Sequence, residues 1–181
     1  SELLHRQVDP TAPRDVVVRG IAASPGAAWG RIVLTAAEAE AVAARGETCI
    51  LVRRETTPED IRGMHAAKGV LTVRGGITSH AAVIGRGLGL PCVVGASDLE
   101  IDRKRRTITG PGGRVLHEGD IITVDGSSGD ILAGEPRMRE ASLDDAFVTL
   151  LDWADTFRDI GVRANADTPR DAQTARNFAA Q

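Results

Sequence analysis

The spacing of apolar positions changes character along the chain, and each change predicts a different kind of element. Val16-Val17-Val18, running into Gly20-Ile21, and the run 30–34 read as strands separated by a Ser24-Pro25-Gly26 turn. Thr35 and Glu38 have the capping-box spacing, so the alanine-rich stretch 36–45 is expected as a helix stopped by Gly46. The apolar, β-branched run 48–53 (TCILVR) is expected as a buried strand. Thr57, Pro58 and the acids Glu59 and Asp60 suit the opening of a short helix reaching about residue 67. A strand over 69–73, a Gly75-Gly76 turn, a helix capped by Thr78 or Ser79 and running to about 88, and a strand over 91–94 follow. Alternation of strand and helix argues for a partly parallel sheet with covering helices, an α/β fold.

Beyond Leu99 the texture turns to β, with short strands expected over 106–109, 119–124 and 130–132 between glycine-rich turns. Leu143, Phe147, Leu150, Leu151, Ala154, Phe157 and Ile160 then recur at helical spacing, which predicts a helix over 138–160. A strand over 161–165 and a helix over 168–178 complete the reading. The expected organisation is a loose leader (1–14), a main domain (15–135), a connector helix (136–160) and a truncated βα piece of a further domain (161–181).

Composition narrows the function classes. Of 181 residues, 42% are hydrophobic, which suffices for a core. Lys+Arg 22 against Asp+Glu 25 gives a net charge of −3, and aromatic residues make up 3%, so neither a basic field nor stacking platforms for nucleic acid are expected. No apolar run approaches the roughly 18 residues of a membrane span, and the first residues lack a signal-peptide core, so a cytoplasmic protein away from membranes is expected. Cys49 and Cys92 lie in apolar runs outside any CxxC pair and read as buried thiols rather than a disulfide or zinc site. The basic cluster 103–106, with Asp98, Glu100 and Asp102 nearby, reads as a solvated hairpin, with a phosphate-binding patch as the other reading.

Candidate chemistry centres on Arg74-Gly75-Gly76-Ile77-Thr78-Ser79-His80-Ala81-Ala82. Two glycines allow a tight turn out of a strand, and Thr78 and Ser79 offer hydroxyls at a helix start. His80 then falls in the first helical turn, where unpaired amides and the positive dipole end suit an anion and favour the neutral, nucleophilic imidazole. His80 is thus a candidate to attack phosphorus and hold the phosphoryl group. An inert histidine in a first turn fits the same pattern. Around it, Arg74 is a candidate for steering phosphate. His65 reads as structural or as an approach to the site, and Arg86, on another face from His80, as a phosphate contact or a docking residue for a partner domain. His5 and His117 read as surface residues.

The runs Thr57-Pro58-Glu59-Asp60, Gly63-Met64-His65-Ala66-Ala67, Gly69-Val70-Leu71-Thr72, the stretch 74–83 and Pro91-Cys92-Val93-Val94-Gly95 closely resemble the phosphohistidine domain of the pyruvate phosphate dikinase family. Ala23-Ser24-Pro25-Gly26-Ala27 resembles its opening motif, and 118–129 its closing strands. Residues 162–172 resemble the start of the family's phosphoenolpyruvate (PEP)/pyruvate barrel. The resemblance implies a β/β/α swivelling fold and an enzyme interconverting ATP, phosphate and pyruvate with AMP, pyrophosphate and PEP. It implies that His80 is the phosphoryl carrier, that Gly75, Gly76, Thr78, Ser79 and Arg74 support it, and that Thr78 sits at a regulatory phosphorylation site. It also implies partner ATP-grasp and barrel domains, Mg2+ held by those partners and not by this chain, and a homodimeric full-length enzyme. PEP synthase and Enzyme I carry related domains, and a non-catalytic interaction module of the same fold is the further alternative. Gly85 departs from the family's usual alanine, and local loosening of the helix is expected there.

Overall fold

The computed structural model describes residues 5–139 and residue 153. Residues 5–139 fall in the first of two units, 1–141, and residue 153 in the second, 142–181. The expected strand and helix beyond residue 160, and most of the connector helix, lie outside the described residues.

Strands β2 (Val16–Arg19), β3 (Ile21–Ser24), β4 (Ala27–Val33), β5 (Cys49–Arg53), β6 (Gly69–Thr72), β7 (Cys92–Val94), β11 (Ile121–Asp125) and β12 (Asp130–Ala133) form one sheet. Its order is β2-β12-β11-β4-β5-β6-β7-β3. β4, β5, β6 and β7 are parallel, and the outer strands pair antiparallel. β2 and β3 are joined by Gly20 alone yet occupy opposite edges, so the sheet curls until its ends approach. Gly20 N donates to Gly129 O at 2.9 Å, extending the β2–β12 pairing, and Gly126 N to Gly26 O at 2.8 Å, extending β11–β4. A mixed α/β fold dominated by strands results, as the alternation of elements led one to expect.

Helices α1 (Ala36–Ala44), α2 (Ile61–Ala66) and α3 (His80–Leu88) follow β4, β5 and β6 in turn. Thr35 caps α1, its Oγ1 accepting from Glu38 N at 3.2 Å, while Glu38 Oε2 accepts from Leu34 N, one residue before the cap, at 3.3 Å. The segment from Pro58 opens as a 3-10 turn, Pro58–Asp60, before α2 begins. Side-chain alternation along β5 explains why its apolar run is unbroken. Ile50 and Val52 join one core, inside the curl, with Ile32, Leu71, Val93, Ile122 and Val124. Cys49 and Leu51 join the other, under the helices, with Val33, Val70, Ala39, Met64, Ala81 and Ala82. A central parallel strand is buried on both faces, and period two is hidden in its composition.

A second sheet of β8 (Glu100–Asp102), β9 (Thr107–Thr109) and β10 (Val115–His117) is paired separately from the main one and packs Ile108, Ile101 and Leu116 against the core inside the curl. β1 (Gln7–Val8) pairs with β13 (Met138–Arg139), Val8 opposite Met138. Two expectations change here. The leader is not wholly loose, because Val8 is buried against Ala27 and Leu132. Residues 138 and 139 are strand rather than the start of a helix. Both strands are two residues long, too short to show a hydrophobic period.

Candidate functional site

The parallel strands send their carboxyl ends, and the loops that follow them, to one edge of the sheet. Backbone bonds stitch these loops together: Val73 N donates to Arg53 O at 3.1 Å, Arg74 N to Arg54 O at 2.8 Å and Ala96 N to Thr72 O at 3.0 Å. This edge is where open α/β sheets place ligands.

His80 is the first residue of α3. Ser79 is its N-cap, with extended backbone (φ −65°, ψ 159°), and its hydroxyl accepts from Ala82 N at 3.4 Å. Of the two caps the sequence offered, the structure uses Ser79, and Thr78 stays exposed on the loop. The turn before it depends on Gly75, whose φ is +111°. A Cβ there would lie 2.9 Å from the Ser79 Cβ. Thr72, fully buried, donates its hydroxyl to Arg74 O at 2.8 Å, and Ser79 N closes the turn on Gly76 O at 2.9 Å. The amides of Gly75, Gly76, Ile77 and Thr78 donate no hydrogen bond among the described residues.

The imidazole itself is half-buried, and its Nε2 is covered and has no hydrogen-bond partner. A covered ring nitrogen without a partner is uncommon in a settled interior. No group of three or more His, Cys, Asp or Glu side chains that could hold a metal occurs among the described residues.

Arg74 is exposed at the mouth of the loop. Arg86 donates to Ile77 O at 2.8 Å and to Ala23 O at 3.0 Å, which joins the His80 loop to β3. Helical spacing placed Arg86 on another face from His80 and did not reveal this contact, because Ile77 lies outside the helix. His65 is exposed in the last turn of α2, His117 is exposed with its Nδ1 3.8 Å from Asp120, and His5 is half-buried beside Gly26.

Gly85 is buried, and a Cβ there would come 3.1 Å from the Cys92 Cβ. Glycine lets α3 seat closely on β7, and the expected loosening gives way to tight packing. Both cysteines are free and buried. Burial pushes the Cys92 thiol up to about 12, against the weaker pull of Arg86. The basic cluster forms the turn between β8 and β9. Arg106 is spent on Glu118 and on Glu38 at 2.7 Å, and Arg105 stands 3.8 Å from Asp102.

Residues 45–129 match the family described as PEP-utilising enzyme, mobile domain. Pyruvate, phosphate dikinase of Rhizobium meliloti (strain 1021) is 49% identical over 180 residues, taking in 99% of this chain and 20% of that protein. The dikinase of Clostridium symbiosum is 48% identical over 182 residues, 99% of this chain and 21% of that one. Chloroplastic pyruvate, phosphate dikinase 1 of Arabidopsis thaliana is 47% identical over 182 residues, 99% and 19% respectively. The chain thus spans about a fifth of the length of the curated relatives it matches. An Enzyme I protein solved by NMR shares 25% identity, covering 61% of this chain and 36% of that one at a TM-score of 0.36.

Proposed function

From the match of residues 45–129 to the mobile domain of PEP-utilising enzymes, we propose that His80 is a phosphoryl carrier within a pyruvate phosphate dikinase. The observation that supports it is the unpartnered Nε2 of a histidine seated as the first residue of α3, beside loop amides that donate no hydrogen bond. In the chemistry proposed, the imidazole turns outward and the Nε2 lone pair attacks phosphorus. The P–O bond to the donor breaks, its electrons leave on the donor oxygen, and a P–N bond forms. The amides of 75–78 and the first turn of α3 then face the phosphoryl oxygens, where N–H dipoles favour negative charge. On delivery the P–N electrons return to Nε2 and the enolate oxygen of pyruvate takes the group. The transferred phosphoryl is metaphosphate-like in most analyses, so positioning and shielding are the carrier's main tasks.

ATP-grasp and barrel domains of the same enzyme are the donor and acceptor partners in this reading. Mg2+ is assigned to those partners in the same reading. Thr78, exposed two residues before His80, is a modification site in the same reading, because a phosphate dianion there would repel an incoming phosphoryl group.

The test has two stages. Incubation with phosphoramidate, a small phosphoryl donor, is expected to give a base-stable, acid-labile adduct mapped to His80 and absent in His80→Ala, whose fold persists. The labelled chain is then mixed with pyruvate, Mg2+ and a dikinase whose own carrier histidine is replaced, and PEP is expected to form. No adduct at His80 rules the reading out. An adduct that never passes to pyruvate points to the interaction-module alternative.

A further inference from the structure

The loop that presents His80 is held to the domain body at its start by the Val73 and Arg74 amides and at its end by α3 itself. Between these points, residues 75–78 contain two glycines and an Ile77 side chain that is 59% exposed. Among the described residues, one hydrogen bond ties this span to a side chain elsewhere in the domain: Arg86 to Ile77 O, 2.8 Å. The same guanidinium reaches Ala23 O in β3, at 3.0 Å. The planar fork of arginine makes both bonds at once, in a geometry that an ammonium group cannot copy. Ala23 is buried in the core under the helices, so the clamp is anchored to a buried point of β3.

We propose that Arg86 is a positioning residue for phosphoryl transfer. It does not touch the phosphoryl group; by holding the Ile77 carbonyl against β3 it sets the path of 75–79 and so the direction in which His80 and the loop amides point. The proposal rests on the carrier reading above. Misplacing a reacting group by about 1 Å costs on the order of 100-fold in rate. Loss of the clamp is therefore expected to lower the rate at saturating donor while leaving donor affinity alone.

The experiment follows phosphorylation of His80 in this chain by phosphoramidate, in which the donor P–N bond breaks, ammonia leaves with its electrons and the Nε2–P bond forms. Arg86→Gln and Arg86→Lys are compared with the parent over a range of donor concentrations, alongside thermal midpoints. Expected results are a fall of about 10-fold to 100-fold in the saturating rate for Arg86→Gln, an unchanged half-saturating concentration, and partial rescue in Arg86→Lys, which keeps one of the two bonds. Arg86→Lys also serves if Arg86→Gln does not fold. Undiminished rates in the folded variants overturn the clamp. A raised half-saturating concentration with an unchanged saturating rate overturns it in favour of direct contact with the donor. A parent chain that takes no phosphoryl group fails the carrier reading instead, so the two failures are told apart.

Discussion

Gly95 rests on the carbonyl oxygen of Gly75: a Cβ built at residue 95 would lie 2.7 Å from that oxygen. Gly95 also has φ +65°, so an alanine there meets both a backbone penalty and a collision. Gly95→Ala is expected to cost about 1–2 kcal/mol of stability through φ alone. It is also expected to push the 75–79 turn outward and slow His80 phosphorylation. Chemical denaturation and phosphoramidate labelling measure the two effects separately. Unchanged labelling would show that the turn absorbs the displacement.

Ser79→Ala removes the acceptor for Ala82 N at the start of α3. Cap losses of this kind cost about 0.5–2 kcal/mol, and the 3.4 Å bond places this one toward the lower end. Ser79→Asp restores an acceptor but sets a fixed negative charge beside His80, so stability is expected to recover while labelling does not. Equal recovery of both would remove the charge argument.

Asp125 gives the fold an acid-sensitive point far from the loop chemistry. Its burial works against ionisation. The Arg14 guanidinium at 2.6 Å, Ser128 and the amides of Ser127 and Ser128 outweigh that and hold its pKa below the ordinary 3.8. A carboxylate depressed in the folded state stabilises fully above its unfolded pKa, and that contribution is lost as pH falls through the folded value. Thermal midpoints of the parent are thus expected to fall as pH drops below about 4. Asp125→Asn is expected to be less stable at pH 7 and to show a flatter acid limb. An identical acid limb in the variant would place the sensitivity in another carboxylate.

Cys92, pushed up to about 12 by burial, is a thiol at neutral pH, and the thiolate is the reactive form. Burial raises Cys49 as well. Iodoacetamide at pH 8 is expected to leave both unmodified in the folded chain and to label both after denaturation. Fast labelling of the native chain would mean that the sheet opens readily at β5 or β7.

Elements with strong local signals were legible in the sequence. Thr35 and Glu38 announced α1, the TCILVR run announced a buried strand, and Gly75-Gly76 before Thr78 and Ser79 announced a turn into a capped helix at His80. What escaped was non-local. β8 and β10 are three residues each, and β10's Val115-Leu116-His117 has no period to detect. The clamp from Arg86 to Ile77 and Ala23 joins residues 9 and 63 positions apart, one in a loop and one on another strand, so no helical wheel contains it. Gly85 shows the limit of propensity: its helix cost was visible in the sequence, and the approach of Cys92 that justifies it was not.

The pairing of β1 with β13 brings the two ends of the described body together on one side. His5 lies beside Gly26 and Pro91, and Arg6 O accepts from Ala27 N at 2.7 Å, all at the amino end of the parallel strands. His80 stands at the carboxyl end, one helix away: α3 has nine residues, or about 13 Å at 1.5 Å each. The two ends of the described body, residues 5–8 and 138–139, therefore meet on the side opposite His80. A turn of the described body about those ends would carry the imidazole through an arc, with the length of α3 as part of its radius.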